Sequence, residues 1–140
     1  MTKLSSKNGF AIIDKDPGWT SHDVVARARK ILDTRKIGHS GTLDPPATGV
    51  LILGIGKATR LLRFITDLRK EYIATMVLGS ETDTLDADGE ITETTEILPS
   101  LSQLQESART YVGEIQQVPP MVSAVKIKGK RLYQLAREGK

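Results

Sequence analysis

The strongest chemical signal in this chain lies between Ile37 and Gly49, which reads Ile-Gly-His-Ser-Gly-Thr-Leu-Asp-Pro-Pro-Ala-Thr-Gly. Glycines at 38, 41 and 49 permit backbone angles and close approaches that other residues resist. Pro45 and Pro46 stiffen the stretch. One carboxylate, Asp44, stands between Leu43 and Pro45 with no helix to cap. A lone loop aspartate can act as a nucleophile or a base, or close an Asx-turn that stabilises the loop. His39, in a glycine-rich setting, reads as exposed and able to meet a phosphate or a base, or simply solvated. Tyr72 follows Arg69-Lys70. It is either a core strand residue or a ring on which a nucleobase stacks.

Other chemistries lack their residues. The chain has no cysteine and two histidines, His22 and His39, so thiolate catalysis, disulfides and cysteine-based or histidine-rich metal sites are not expected. Gly56-Lys57 hints at a phosphate loop, but Leu51 occupies the position of its first glycine and Ala58 follows the lysine. Gly54-x-Gly56 continues to Thr59 where a dinucleotide fingerprint needs its third glycine. Gly38-x-x-Gly41 matches the clamp of KH-type RNA-binding domains, the runner-up reading. That clamp opens into a helix, which Asp44-Pro45-Pro46 opposes, because residues before proline avoid helical angles.

The elements that must position this loop are readable from periodicity. Phe10–Asp14 reads as a buried strand, and Asp16-Pro17-Gly18 as a turn. Thr20 or Ser21 caps a helix with Val24, Ala28, Ile31 and Leu32 on one face. Val50–Ile55 is a continuous apolar run that suits a strand buried on both faces. Lys57–Leu68 is helical, and Glu71–Leu78 strand-like. Gly79–Gly89 is an acidic loop. Ser100 caps a helix with Leu101, Leu104, Ala108 and Tyr111 inward and Gly113 beyond its end. Glu114–Val118 and Val122–Ile127 read as strands, Lys128-Gly129-Lys130 as a turn, and Arg131–Glu138 as the start of a helix. Strands and helices mix without regular alternation, which predicts an α+β fold with a mixed, largely antiparallel sheet and flanking helices.

Charge divides unevenly over the 140 residues. Residues 1–70 carry 13 lysines and arginines against 6 carboxylates, a balance of +7; residues 71–140 carry 7 against 11, a balance of −4. Seven of those carboxylates fall between Glu81 and Glu96, and Met121–Lys140 is basic again. Basic flanks of this kind hold phosphates or form an ordinary solvated surface. Aromatic residues make up 4%, too few for a multi-base stacking platform. The longest apolar run, about Val50–Ile55, falls far short of the ~20 residues of a membrane span, and Met1–Gly9 is polar with no apolar signal-type stretch.

Five segments in register resemble one family, the bacterial tRNA pseudouridine synthases of the TruB type. They are Asp14-Lys15…Pro17-Gly18-x-Thr20-Ser21-His22-Asp23-Val24-Val25; Gly38-His39-Ser40-Gly41-Thr42-Leu43-Asp44-Pro45…Ala47-Thr48-Gly49-Val50-Leu51; Lys70-x-Tyr72 with Leu78-Gly79; Thr82-Asp83-Thr84-x-Asp86-Ala87-Asp88-Gly89; and Pro119-Pro120-Met121-x-Ser123-Ala124-x-Lys126 with Gly129-x-Arg131-Leu132-Tyr133. They span about residues 9–139. The resemblance implies the pseudouridine synthase fold and an isomerase that converts the T-loop uridine of tRNA to pseudouridine after flipping it out of its stack. It implies no cofactor, no metal, no obligate protein partner and a cytoplasmic location away from membranes. It makes Asp44 the catalytic aspartate. His39 fills or braces the space the base leaves, Tyr72 lies against the uracil, Asp86 helps order the site, and Lys15, Lys126 and Arg131 contact RNA. It also implies that residues 1–140 are the N-terminal portion of the catalytic domain, without a later arginine that pairs with the aspartate, so that the piece alone is weakly active or inactive.

The sequence departs from the family pattern in three places. Asp14-Lys15-Asp16-Pro17-Gly18 replaces Asp-Lys-Pro-x-Gly, Ser40 stands where threonine is usual, and Pro46 where leucine or methionine is common.

Overall fold

The computed structural model describes residues 7–118 and the backbone pairing of Lys126–Ile127 with Lys130–Arg131. The chain divides into two compact units between Tyr72 and Ile73. In the first, β1 (Gly9–Lys15), α1 (Ser21–Leu32), β2 (Ile37–His39) and β3 (Gly49–Ile55) lead into a 3₁₀ turn (Gly56–Leu61) and the short α2 (Leu62–Thr66). The sheet order is β1-β3-β2, antiparallel throughout, with Ile13 opposite Leu51, Ala11 opposite Leu53 and His39 also opposite Leu53.

Strand alternation sorts the side chains onto two faces. One face carries Leu51, Leu53 and Ile37, which bury with Val25 of α1; Ala11, Ile13, Val24, Ala28, Leu32 and Leu43 pack around them. The inward face of α1 keeps Val24, Ala28 and Leu32 as expected, but its buried apolar residue is Val25, which the expected face lacked, and Ile31 is exposed. The other sheet face is covered at one end, where Leu62 lies over Gly38 and Gly54. A Cβ on Gly54 would come within 2.8 Å of Leu62 Cγ, so glycine permits this approach. Along that face Ile12 is 73% and Val50 69% exposed. The expectation of a strand buried on both faces thus fails for β3, and β1, expected to be buried, also has an open face: helix covers one face and only part of the other.

Other expectations also change. The helix over Lys57–Leu68 is a 3₁₀ turn followed by an α-helix ending at Thr66. It starts from Gly56 at φ 61°, with no side-chain cap on Ile55. Gly38 lies in β2, and the chain after Gly41 runs through a loop rather than a helix, which removes the KH-type clamp. Glu71–Leu78 forms no strand, because a strand needs a ladder partner and none pairs with it among the described residues.

The second unit, described by itself, contains β4 (Ser80–Thr82), β5 (Ile91–Thr94), α3 (Leu101–Arg109), β6 (Lys126–Ile127) and β7 (Lys130–Arg131), with β4 pairing β5 and β6 pairing β7, both antiparallel. Ser100 caps α3 in a full capping box with Gln103, as expected, but the helix ends at Arg109 before Tyr111, and none of its residues is buried. Glu114–Val118 has no regular structure. Arg131 belongs to a strand rather than to the start of a helix. The remainder of that expected helix, the expected strand before Lys126 and the Pro119-Pro120-Met121 motif lie outside the described residues. The molecule is α+β with antiparallel sheets, in agreement with the sequence reading.

Candidate functional site

The loop between β2 and β3 is held from several sides. On the β1 side, Lys15 is only 1% exposed. Burying an ammonium is costly unless its protons are bonded, and here its Nζ donates to the carbonyls of Asp16 (3.0 Å), Trp19 (2.7 Å) and Pro45 (3.1 Å). The Gly18 amide donates to the same Pro45 oxygen at 2.8 Å. Gly18 has φ 82°, a left-handed angle that suits glycine. Lys15, expected to contact RNA, is thus fully engaged inside the protein, because the carbonyls of the β1–α1 turn and of Pro45 converge on its head.

On the helix side, Thr20 caps α1: its hydroxyl accepts from the Asp23 amide, and Asp23 reaches back to the Thr20 amide at 2.9 Å. Hydrogen bonding from the Thr20 side chain, and then from its backbone, holds the Asp23 carboxyl below its ordinary value. Capping by Thr20 leaves Ser21 for another task. Its Oγ, 1% exposed in the residue as a whole, accepts from the Leu43 amide at 2.9 Å and lies 3.3 Å from the Leu43 carbonyl, to which it donates. The residues before and after Asp44 are therefore both pinned by their backbones.

Asp44 itself is exposed. Its carbonyl accepts from the Ala47 amide at 3.1 Å. Its carboxylate meets no hydrogen-bond or ionic partner among the described residues, so the alternative of an Asx-turn is not realised.

His39, expected to be exposed, is half-buried at the end of β2. Its Nδ1 lies 2.6 Å from the Gly41 carbonyl. A carbonyl only accepts, so Nδ1 carries a proton and donates it to Gly41. The ring packs edge-on against His22, with centroids 5.2 Å apart. Thr66 Oγ1 of α2 donates to the Ser40 carbonyl at 2.8 Å. Ser21 and His22 are residues in contact with this loop that sequence reasoning did not single out. The available signal was their place directly after the cap in the Thr20-Ser21-His22-Asp23 segment.

The other expected residues belong to other segments of the chain. Tyr72 closes the first unit, 69% exposed. Asp86 sits in the β4–β5 loop of the second unit, where its Oδ1 accepts from Thr84 Oγ1 (2.6 Å) and the Asp88 amide (3.0 Å). These bonds, the Thr84 hydroxyl first, lower its pKa, and they order that loop. Lys126 and Arg131 are register partners across β6 and β7. Among the described residues no group of three or more histidine, aspartate or glutamate side chains could hold a metal ion, and no helix is long and apolar enough to cross a membrane.

Comparison with known proteins adds the following. Residues 29–140 match the family described as TruB family pseudouridylate synthase (N terminal domain). The chain is 52% identical over 132 residues to tRNA pseudouridine synthase B of Alkaliphilus oremlandii, covering 94% of this chain and 44% of that protein. It is 52% identical over 134 residues to tRNA pseudouridine synthase B of Thermotoga maritima, covering 96% and 43%. The chain thus spans less than half the length of these curated relatives. Among solved structures, it is similar to a chain in the crystal structure of a Cbf5-Nop10-Gar1 complex, with a TM-score of 0.56, 32% identity, and coverage of 84% of this chain and 31% of that one.

Proposed function

Because the chain belongs to the TruB family of pseudouridylate synthases, through its N-terminal domain, we propose that it carries the aspartate centre of an RNA isomerase that turns the T-loop uridine of tRNA into pseudouridine. One observation supports this reading above the others. The Asp44 carboxylate is presented unengaged at the tip of a loop whose adjoining residues, Leu43 and Pro45, are clamped by Ser21, Lys15 and Gly18. A reactive group needs this kind of preorganisation.

The reaction conserves composition. The N1–C1′ bond of uridine breaks, the uracil turns, C5 bonds to C1′, and the C5 proton leaves as N1 regains one. An ionised carboxylate serves it either at C1′ or as the base for the C5 proton. The uridine must first leave its stack, at a cost of a few kcal/mol. In this reading His39 braces the vacated space, with its ring orientation set by Gly41 and His22, and Tyr72 lies against the flipped uracil. Asp86, Lys126 and Arg131 contribute ordering and RNA contacts from the second unit, while Lys15 acts through the loop it holds. A carboxylate kept charged beside a bound base needs a cation, and none meets Asp44 among the described residues. In this reading residues 1–140 supply an N-terminal portion of the catalytic domain and are weakly active or inactive alone. No metal, cofactor or obligate protein partner is invoked, and the proposed location is the cytoplasm.

The test is pseudouridine formation on an unmodified tRNA transcript. It is run with residues 1–140 alone and with the C-terminal part of the Alkaliphilus oremlandii relative supplied. Product at the T-loop uridine, lost in Asp44→Asn while RNA binding persists, supports the reading. An Asn variant that keeps its rate refutes the role of Asp44, and absence of product in the completed protein refutes the reaction.

A further inference from the structure

Beside the clamped loop, the outer face of α1 forms an open depression of about 510 Å³ bordered by Gly18, Trp19, Asp23, Ala26, Arg27 and Lys30. Three features give it a chemical character. Trp19 is a large aromatic left 44% exposed, and it is the chain's sole tryptophan. Arg27 and Lys30, one helical turn apart, meet no carboxylate or other hydrogen-bond partner among the described residues. The one acid in the depression, Asp23, is turned to the helix cap, where it accepts from the Thr20 amide and hydroxyl at 2.9 and 2.6 Å. It is therefore committed to the cap rather than to the cations. An exposed ring beside two unengaged cations matches a nucleobase stacked on an aromatic with its phosphates alongside.

The rim of the depression is also hydrogen-bonded to the loop of the proposed centre. The Trp19 carbonyl accepts from Lys15 Nζ, and the neighbouring Gly18 amide donates to Pro45 O, one residue from Asp44. Position 19 is thus fixed to the same loop that carries the aspartate. We infer that Trp19, Arg27 and Lys30 form a second RNA-binding site, which stacks an unpaired base and holds the backbone of the strand that flanks the reacting uridine. This rests on the reading of the chain as an RNA isomerase, and it adds a contact point away from the reacting base.

The single tryptophan makes the test direct. The chain of residues 1–140 is titrated with a T-stem-loop RNA while its emission is followed. The expected result is saturable quenching, with about tenfold weaker binding for Trp19→Leu and near-native binding for Trp19→Phe, since a ring face stacks where an aliphatic group of similar bulk does not. Arg27→Gln with Lys30→Gln should reduce the steepness of the salt dependence by about 1.4–1.8 in log–log slope, the contribution of two phosphate contacts. Circular dichroism checks that the variants fold. RNA binding with unaltered emission and no effect of Trp19→Leu overturns the inference, as does absence of binding. Equal quenching by poly-glutamate also overturns it, by pointing to an acidic protein partner. Quenching without pseudouridine in the completed protein leaves this site standing and removes the isomerase reading, so the two failures are distinguishable.

Discussion

The helices α1 and α3 begin in the same way and end in different circumstances. Each opens on a complete capping box, Thr20 with Asp23 and Ser100 with Gln103, and each has apolar residues at helical spacing. Yet α1 buries Ser21 and Val25 against a sheet, whereas no residue of α3 is buried. Local signals decide where a helix starts; whether it becomes a scaffold depends on a sheet face offered to it. The two aspartate-bearing loops show the same contrast. The Asp44 loop is pinned from outside by Ser21, Lys15, Gly18 and Thr66 and leaves its carboxylate unengaged. The Asp86 loop is ordered from within, by spending its carboxylate on Thr84 and Asp88.

That contrast can be broken experimentally. The largest expected effect is on chemistry: Asp44→Asn in the completed protein should lower pseudouridine formation by at least about 10³-fold, in line with the loss of a reacting group, whereas Asp86→Asn should retain far more of the rate. Parallel single-turnover assays check this, and equal losses would erase the distinction between the loops.

The next effect is on stability. Leu53→Ala, at a site 1% exposed, should cost about 2–5 kcal/mol, while Leu101→Ala on the exposed α3 should stay within about 0.5 kcal/mol. Urea denaturation measures both, and a large loss at Leu101 would show that α3 is packed in solution.

A smaller effect is expected at Ser21. Ser21→Ala removes the partner of the half-buried Leu43 amide, a penalty of about 0.5–1.5 kcal/mol, and frees one side of the Asp44 clamp. It should reduce kcat with little change in KM for tRNA. A change confined to KM would place Ser21 in binding instead.

The smallest effect is a matter of pH. The Asp23 carboxyl is depressed in the folded chain by the Thr20 hydroxyl, so its cap contributes fully above the unfolded value of about 3.9 and is lost as pH falls through the folded value. Asp23→Asn should flatten the acid limb of the stability curve below about pH 4. An acid limb identical to the parent would show that the cap contributes nothing to it.

Much of this was legible in advance. The order β1-α1-loop-β3, the turn at Pro17-Gly18, both caps and the loop carrying Asp44 follow from local features: apolar spacing, proline and glycine positions, and short polar side chains before helices. These act over a few residues, so they survive in a linear reading. The reading went wrong where a partner far along the chain decides. Glu71–Leu78 has strand-like residues but no ladder partner among the described residues. Ile12 and Val50 are apolar yet exposed, because helix packs fully against one sheet face and only part of the other.

The amino-acid sequence by itself determined the chemical inventory: one carboxylate in a glycine- and proline-rich loop, basic flanks, no cysteine, and motifs in register with a pseudouridine synthase family. Tertiary structure alone decided how those groups are used. Lys15 turns inward because three carbonyls, two from the β1–α1 turn and one from Pro45, converge on its ammonium and offset its burial. Ser21 grips Leu43 because Thr20 has already capped the helix. Such assignments depend on atoms up to thirty residues apart arriving within 3 Å or so of one another, a condition that no local pattern encodes.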